Sequence, residues 1–320
     1  MNASVTTTRS TSTRAGIAAP SPRPSYVGIV RGELFKIARL RIAWIMAGLL
    51  VCIIGGTALL ILARPDNLKA DPVRFLSVMT EVDLSVLRIF GGIALVVLTA
   101  HVIGLEYQQG TIRILLGRGV GRLQLLSAKV LALAGVALAG LVVGLLLEAA
   151  LGTLVVLVVM GSTHALTTLS ATYWTNTWFY LLATLISTGA TLLLGVAVTV
   201  VGRSLAFGLG VGLSWFAADN IGTLIMLLLN GFTHSAFWLN ITGFFLGPIL
   251  NDLPALLVPV QVVVRQGPNG PVHVAQTADA IGATPLVAIG SAQALWVILG
   301  YCAVFAAVAV VLTWRRDVLE

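Results

Sequence analysis

Charge is scarce in this chain of 320 residues: only 10% are Asp, Glu, Lys or Arg, against roughly a quarter in an ordinary soluble domain. Lysine is rarer still, with Lys36, Lys69 and Lys129 the only three. None of them closes the pattern G-x-x-x-x-G-K-[ST], whose backbone N–H groups cradle phosphates, so the chain binds no ATP by that route. The four histidines, His101, His164, His234 and His273, lie far apart, and neither H-E-x-x-H nor G-x-S-x-G occurs. Hydrolytic and metal catalysis are left without support. Cys52 and Cys302 fall inside apolar stretches with no C-x-x-C partner. They read as small hydrophobes and offer neither a disulfide framework nor a zinc site. The expectation is a chain with no catalytic residue, no bound metal and no cofactor of its own.

Apolar residues make up 58% of the sequence and the mean hydropathy is +1.00, so lipid is the main solvent. A formal charge of +7 could suggest nucleic acid, but the basic residues lie between apolar stretches rather than interleaved with stacking aromatics, which argues against it. Six stretches reach the length of about 18 residues that a spanning helix needs: residues 42–62, 86–105, 129–160, 178–202, 204–229 and 287–313. The third is too long. At about 1.5 Å per residue it reaches about 48 Å against about 30 Å of hydrocarbon, so it tilts or projects into water. The fourth and fifth, parted by Gly202 and Arg203 alone, form a tight hairpin. The sequence therefore reads as an all-α polytopic membrane protein with six transmembrane helices.

Residues 1–25 are Ser, Thr, Ala, Pro and Arg without an acid, the composition of a disordered tail rather than a transit peptide. No secretory signal is expected, since the first apolar stretch begins after residue 41. From Tyr26 to Arg41 apolar residues recur at helical spacing among Arg31, Lys36, Arg39 and Arg41, which predicts an amphipathic interfacial helix leading into the first span. Residues 26–320 then form one transmembrane domain. With the N-terminus inside, 14 of the 19 basic residues fall on inner segments, leaving Arg64, Lys69, Arg74, Arg88 and Arg265 outside. Positive charge favours the cytoplasmic side, so both termini are expected there. Glu81, Asp83 and Asp252 are assigned to the outside with the other loop acids.

Between spans five and six, residues 232–258 are apolar but broken by Gly243, Gly247, Pro248 and Pro254, which predicts re-entrant or interfacial helices dipping in from outside. Val262–Val264 and Val272–Val274 flank Gly267-Pro268-Asn269-Gly270, a β-hairpin signal. The sequons at Asn2 and Asn240 read as chance, the first cytoplasmic and the second in an apolar segment. Gly208, Gly210 and Gly212 superficially suggest a dinucleotide fingerprint. They lack its strand and its acid, and read as small residues for close helix packing. Glu148 and Asp219 lie within spans, where each costs on the order of 3 kcal/mol unless it faces a partner or a wet cavity. For Glu148 a substrate or ion path and a structural hydrogen bond stand equal; for Asp219 the structural role is favoured.

The most informative segment follows span two and runs from Glu106 through Gly110, Thr111, Arg113, Leu115, Leu116, Arg118 and Arg122 to Lys129. Ile112, Leu115 and Leu116 mark one face of a short helix, a dockable amphipathic element, and Gly117, Gly119 and Gly121 break it before a second helix opens near Arg122. This segment resembles the one that permease subunits of the ABC-2 family, the membrane subunits of ATP-binding-cassette exporters, place after their second span. There the family has an acid, four residues to Gly-Thr, a pair of leucines, a proline with an arginine, and a lysine opening the third span. Glu106, Gly110, Thr111, Leu115, Leu116, Arg122 and Lys129 match; Gly119 stands in place of the usual proline and Gly121 in place of a small serine. The layout from about residue 26 to 320 agrees, including the basic end at Trp314-Arg315-Arg316-Asp317.

The resemblance implies a membrane-spanning permease of the cell membrane that exports substrate on ATP hydrolysed by a separate ATPase subunit, with ATP and Mg bound there. It also implies pairing with a second permease copy or homologue into a dimer, and coupling to the ATPase through Glu106, Gly110, Thr111, Arg113, Leu115, Leu116, Arg118, Arg122 and Lys129. A cavity lined by spans two and five of both copies would suit a lipid, drug or peptide. An ion-coupled secondary transporter is the alternative, with Glu148 and Asp219 a thin set of coupling groups and no evident inverted repeat. A membrane enzyme comes third, lacking any catalytic constellation.

Overall fold

The computed structural model describes residues 25–63, 69, 71–117, 119–258, 261–267, 270–276 and 289–315. The expected tail over residues 1–25, apart from Ser25, lies outside them, as do Arg118, Arg64, Arg316 and Asp317. Twelve helices are described: α1 (Tyr26–Arg39), α2 (Arg41–Leu62), α3 (Pro72–Thr99), α4 (Leu105–Gln108), α5 (Thr111–Gly117), α6 (Arg122–Met160), α7 (His164–Thr167), α8 (Ala171–Gly202), α9 (Leu205–Thr233), α10 (Ala236–Thr242), α11 (Leu246–Leu257) and α12 (Ser291–Arg315). A π-helical turn, Ala100–Gly104, joins α3 to α4 without a break in the axis. Gln261–Gly267 pairs antiparallel with Gly270–Gln276, from Gln261 opposite Gln276 to Gly267 opposite Gly270.

Six of these helical runs are long and apolar enough to cross a membrane: α2, the run from α3 to α4, α6, α8, α9 and α12. Two are central. About half or more of the apolar window of the α3 run and of α8 is buried within the chain, whereas α2, α9 and α12 are covered much less. In one cluster, Leu95, Leu98, Val102 and Ile103 of the α3 run pack with Leu192, Val196 and Val200 of α8, with Leu126 and Leu133 of α6, and with Ile37 of α1. In another, Leu194 and Ala190 of α8 pack with Leu246, Ile249 and Leu253 of α11 and with Ile298 and Phe305 of α12.

The second span begins far earlier than its hydropathy suggests. Asp71 caps α3, its carboxylate accepting from the Arg74 N–H at 3.1 Å, with Pro72 in the first turn, the arrangement a helix start favours. The continuous run Pro72–Gln108 has 37 residues, about 55 Å at 1.5 Å each, well beyond the hydrocarbon thickness. Arg88, Glu81 and Asp83, assigned to an outer loop by their charge, are therefore in α3 and buried. Partners on neighbouring helices make this possible: Thr57 of α2 donates to Asp83 at 2.7 Å, and Arg88 reaches α11. The third span is likewise longer than expected, 39 residues from Arg122. α8 and α9 meet in the anticipated tight hairpin, with Arg203 left-handed at φ 49° and Ser204 capping α9 by accepting from the Phe207 N–H.

The glycines of α9 work as packing positions. An added Cβ at Gly208 would stand 2.7 Å from Thr199 Oγ1 and 3.1 Å from Ala100, and one at Gly212 would stand 2.7 Å from Val96. Gly210 faces open space. At Gly104 of the π turn the obstacle is backbone, since a Cβ there would lie 2.9 Å from Ser204 and Leu205.

Candidate functional site: a charged junction and a cavity along one helix

Glu106 and Lys129, 23 positions apart in sequence, meet in space. Lys129 Nζ lies 2.9 Å from Glu106 Oε2 and donates to Glu33 Oε2 at 2.8 Å and to the Val102 carbonyl of the π turn at 3.3 Å. Lys36 closes the circuit, 2.9 Å from Glu33 Oε1 and 2.9 Å from Glu106 Oε1. Two lysines and two glutamates thus form a neutral ring that ties α1, α4 and α6 together. Lys129 and Glu33 are only 2% and 3% exposed and Glu106 14%; buried charge at this depth persists only when paired and hydrogen-bonded. Burial works against the charge on Lys36, but its bonds to Glu106 and Glu33 outweigh it and raise its pKa above the ordinary 10.5.

The ring holds an elbow. Gly110 adopts φ +68°, a left-handed turn that glycine takes at no steric cost, and the Thr111 hydroxyl donates back to the Glu106 carbonyl at 3.3 Å. α5 then lies with Ile112 buried, packed with Leu115 and Leu116 against Val120, Leu125, Tyr107 and Ile29. The apolar face anticipated as the docking surface is therefore turned onto the chain's own scaffold. Gln108, Gln109, Arg113 and Ile114 are exposed instead, Ile114 at 60%. Arg122 borders a small cleft with Ile112, Leu116, Lys129 and Arg203. Gly119 adopts φ +83°, which the pyrrolidine ring forbids, so its replacement of the family proline accompanies a different turn.

About midway along the Pro72–Gln108 run, Arg88 crosses to α11. Pro254 has no N–H, so the Leu250 carbonyl one turn before it lacks its helical donor. Arg88 Nη1 takes its place, donating to the Leu250 carbonyl and, at 3.0 Å, to that of Asn251. Burial pushes the carboxyl of Asp252, close by, up to about 6 against the pull of Arg88. Asp219 of α9 accepts from the Gly247 N–H at 2.7 Å, satisfying a donor that the first turn of α11 would leave orphaned. That bond ties α9 to α11. Glu148 is buried and hydrogen-bonded by the Thr80 hydroxyl, which in turn faces the Tyr173 hydroxyl at 3.0 Å. With Tyr173 donating to Thr80 and Thr80 to Glu148, three helices are linked. Among the described residues no group of three or more His, Cys, Asp or Glu could hold a metal.

A cavity of about 470 Å³ lies between α3, α8, α9 and α11, lined by Arg88, Ile93, Ser187, Thr191, Leu213 and Phe216 among others. Sequence reasoning found Glu106 and Lys129 and missed Glu33, Lys36, Arg88 and Ser187. One signal was present for Glu33: it is the only acid before Asp66, alone in a basic helix.

A comparison with curated proteins finds no match. The family model of the ABC-2 family transporter protein matches residues 29–219, a stretch that runs from α1 through the ring, the elbow, the Arg88 region and α6 to Asp219. With more than half of its length under that match, the chain belongs to the ABC-2 transporter family, whose members are membrane components of transporters and not themselves catalytic.

Proposed function

We propose that this chain is the membrane-spanning permease of an ATP-binding-cassette exporter, driven by a separate ATPase subunit that grips the elbow from Glu106 to Gly117. The observation that carries this reading is the ring of Glu33, Lys36, Glu106 and Lys129. Because Glu106 is bonded to both α1 and α6 and lies on the same continuous run as α3, a push on the elbow moves those helices as connected rods rather than bending a loop. Packed elements of this kind switch between discrete arrangements. The exposed patch of Gln108, Gln109, Arg113 and Ile114 is the surface offered to the ATPase, with Leu115 and Leu116 holding it from behind. ATP and Mg belong to that partner.

In the same reading both termini and the elbow are cytoplasmic in the cell membrane, α1 lies at the inner interface, and residues 26–320 act as one unit. α10 and α11 with the paired segment 261–276 belong to the outer side, re-entering the membrane from there. A second permease copy sits against the face of α9 along which Ile221, Leu224, Ile225 and Leu228 are exposed, a helical stripe at i, i+3, i+4 and i+7.

Co-purification with candidate ATPases, with hydrolysis measured beside it, tests the proposal. Glu106→Ala and Gly110→Trp are expected to uncouple hydrolysis from the permease. Transport that runs on an ion gradient with no ATPase associated would defeat it.

A further inference from the structure

Arg88 and Ser187 line the cavity between α3, α8, α9 and α11, and each carries a buried hydrogen-bonding atom with no partner among the described residues, Arg88 Nε and Ser187 Oγ. Both residues are deeply buried, Arg88 at 9% exposure and Ser187 at 2%. The guanidinium is not free to swing away, since Nη1 is committed to the α11 carbonyls. Ser187 is also unlike its neighbours. Thr184 and Thr188, on the same helix, donate to the carbonyls of Tyr180 and Thr184 at 2.9 and 2.7 Å, the usual outlet for a hydroxyl within a helix. The hydroxyl of Ser187 makes no such bond.

Arg88 is the only charged side chain among the described residues lining the cavity, and the rest of the wall is largely apolar, including Ile93, Leu213 and Phe216. Ile89 and Leu213, both exposed, mark its open side. A fixed cation with an unpaired N–H, a hydroxyl in the same lining and apolar walls complement a group that is anionic at one end and hydrocarbon at the other. A neutral head group would forgo the charge-assisted bond that a guanidinium makes to an anion, and a cationic one would be repelled.

We propose that this cavity binds a single-chain amphiphile with an anionic head group, phosphate or carboxylate, held by Arg88 and Ser187 with its chain along Ile93, Leu213 and Phe216. The assignment rests on the permease reading for its meaning as a substrate site, but binding itself needs no ATPase. The test is equilibrium binding of radiolabelled dodecyl phosphate to the full chain in nanodiscs. Saturable binding is expected, displaced by unlabelled dodecyl phosphate and laurate but not by dodecyltrimethylammonium. Arg88→Gln is expected to weaken it roughly ten- to hundredfold, Ser187→Ala about two- to tenfold, and Arg88→Lys less than Arg88→Gln. Because Arg88 also holds α11, Thr191→Trp provides a second variant that fills the cavity and leaves those contacts alone; it should abolish binding. Wild-type affinity in Arg88→Gln or in Thr191→Trp, or equal competition by the cationic amphiphile, would overturn the proposal. Inorganic phosphate displacing the probe as well as dodecyl phosphate would reassign the site to a free anion and defeat the amphiphile. Loss of binding alongside ATPase-coupled export of another cargo would remove this substrate class and leave the permease reading standing; intact binding with no ATPase partner would do the reverse.

Discussion

At the scale of single residues, the inner junction turns on how completely Lys129 is surrounded. Its ammonium meets Glu33, Glu106 and the Val102 carbonyl, so Lys129→Met would leave the buried Glu33 and the partly buried Glu106 without that cation, a change that costs about 3–5 kcal/mol. Thermal or denaturant unfolding in detergent should show it. Lys36 is half exposed, and Lys36→Met should have a much smaller effect, since pairs open to solvent contribute little. Its pKa is raised on folding, so its contribution is complete at neutral pH, begins to fade above the ordinary 10.5 and is lost as the pH rises through the raised value. Gly104 offers a different test. Its Cβ would meet backbone rather than a side-chain tip, so Gly104→Ala should cost about 1–3 kcal/mol, whereas Gly210→Ala, facing open space, should be neutral or stabilising. Equal midpoints for the two variants would contradict the packing described.

At the scale of elements, Pro254 and Arg88 are coupled. The proline strips the Leu250 carbonyl of its helical donor and the arginine supplies one from another helix. Restoring the N–H with Pro254→Ala should make Arg88→Gln less damaging, with a non-additive term of about 0.5–3 kcal/mol in a double-mutant cycle of stability. Strict additivity would show that the two do not share that carbonyl. The turn after α5 gives a second test: Gly119→Pro, which restores the family residue, cannot adopt φ +83° and should open the elbow to protease while leaving the spans folded.

Elements were legible in the sequence where one physical signal dominated. Six spans stood out by apolar length, and the Gly202-Arg203 hairpin by its brevity. The first part of α3 did not, because Arg74, Glu81, Asp83 and Arg88 look like loop charges until Thr57, α11 and their neighbours are seen around them. The α5 face was legible as amphipathic, but periodicity cannot tell a face that docks on a partner from one that docks on Val120 and Leu125. Glu106 and Lys129 were found through a family pattern, not through any local signal that they would touch.

At the scale of the whole molecule, the run from Pro72 to Gln108 is the part that connects everything. Its last turn carries Glu106 in the ring, its π turn packs on the start of α9, and its other half carries Arg88 to α11. A displacement at the elbow therefore reaches the cavity through one rod, the link that the proposed coupling requires. The central claim is that this elbow faces the cytoplasm, where an ATPase can reach it. With Cys52 and Cys302 replaced by alanine, a cysteine at exposed Gln109 should resist a membrane-impermeant thiol reagent on intact cells, react once the cells are permeabilised, and be shielded by the bound ATPase; labelling on intact cells would contradict the account.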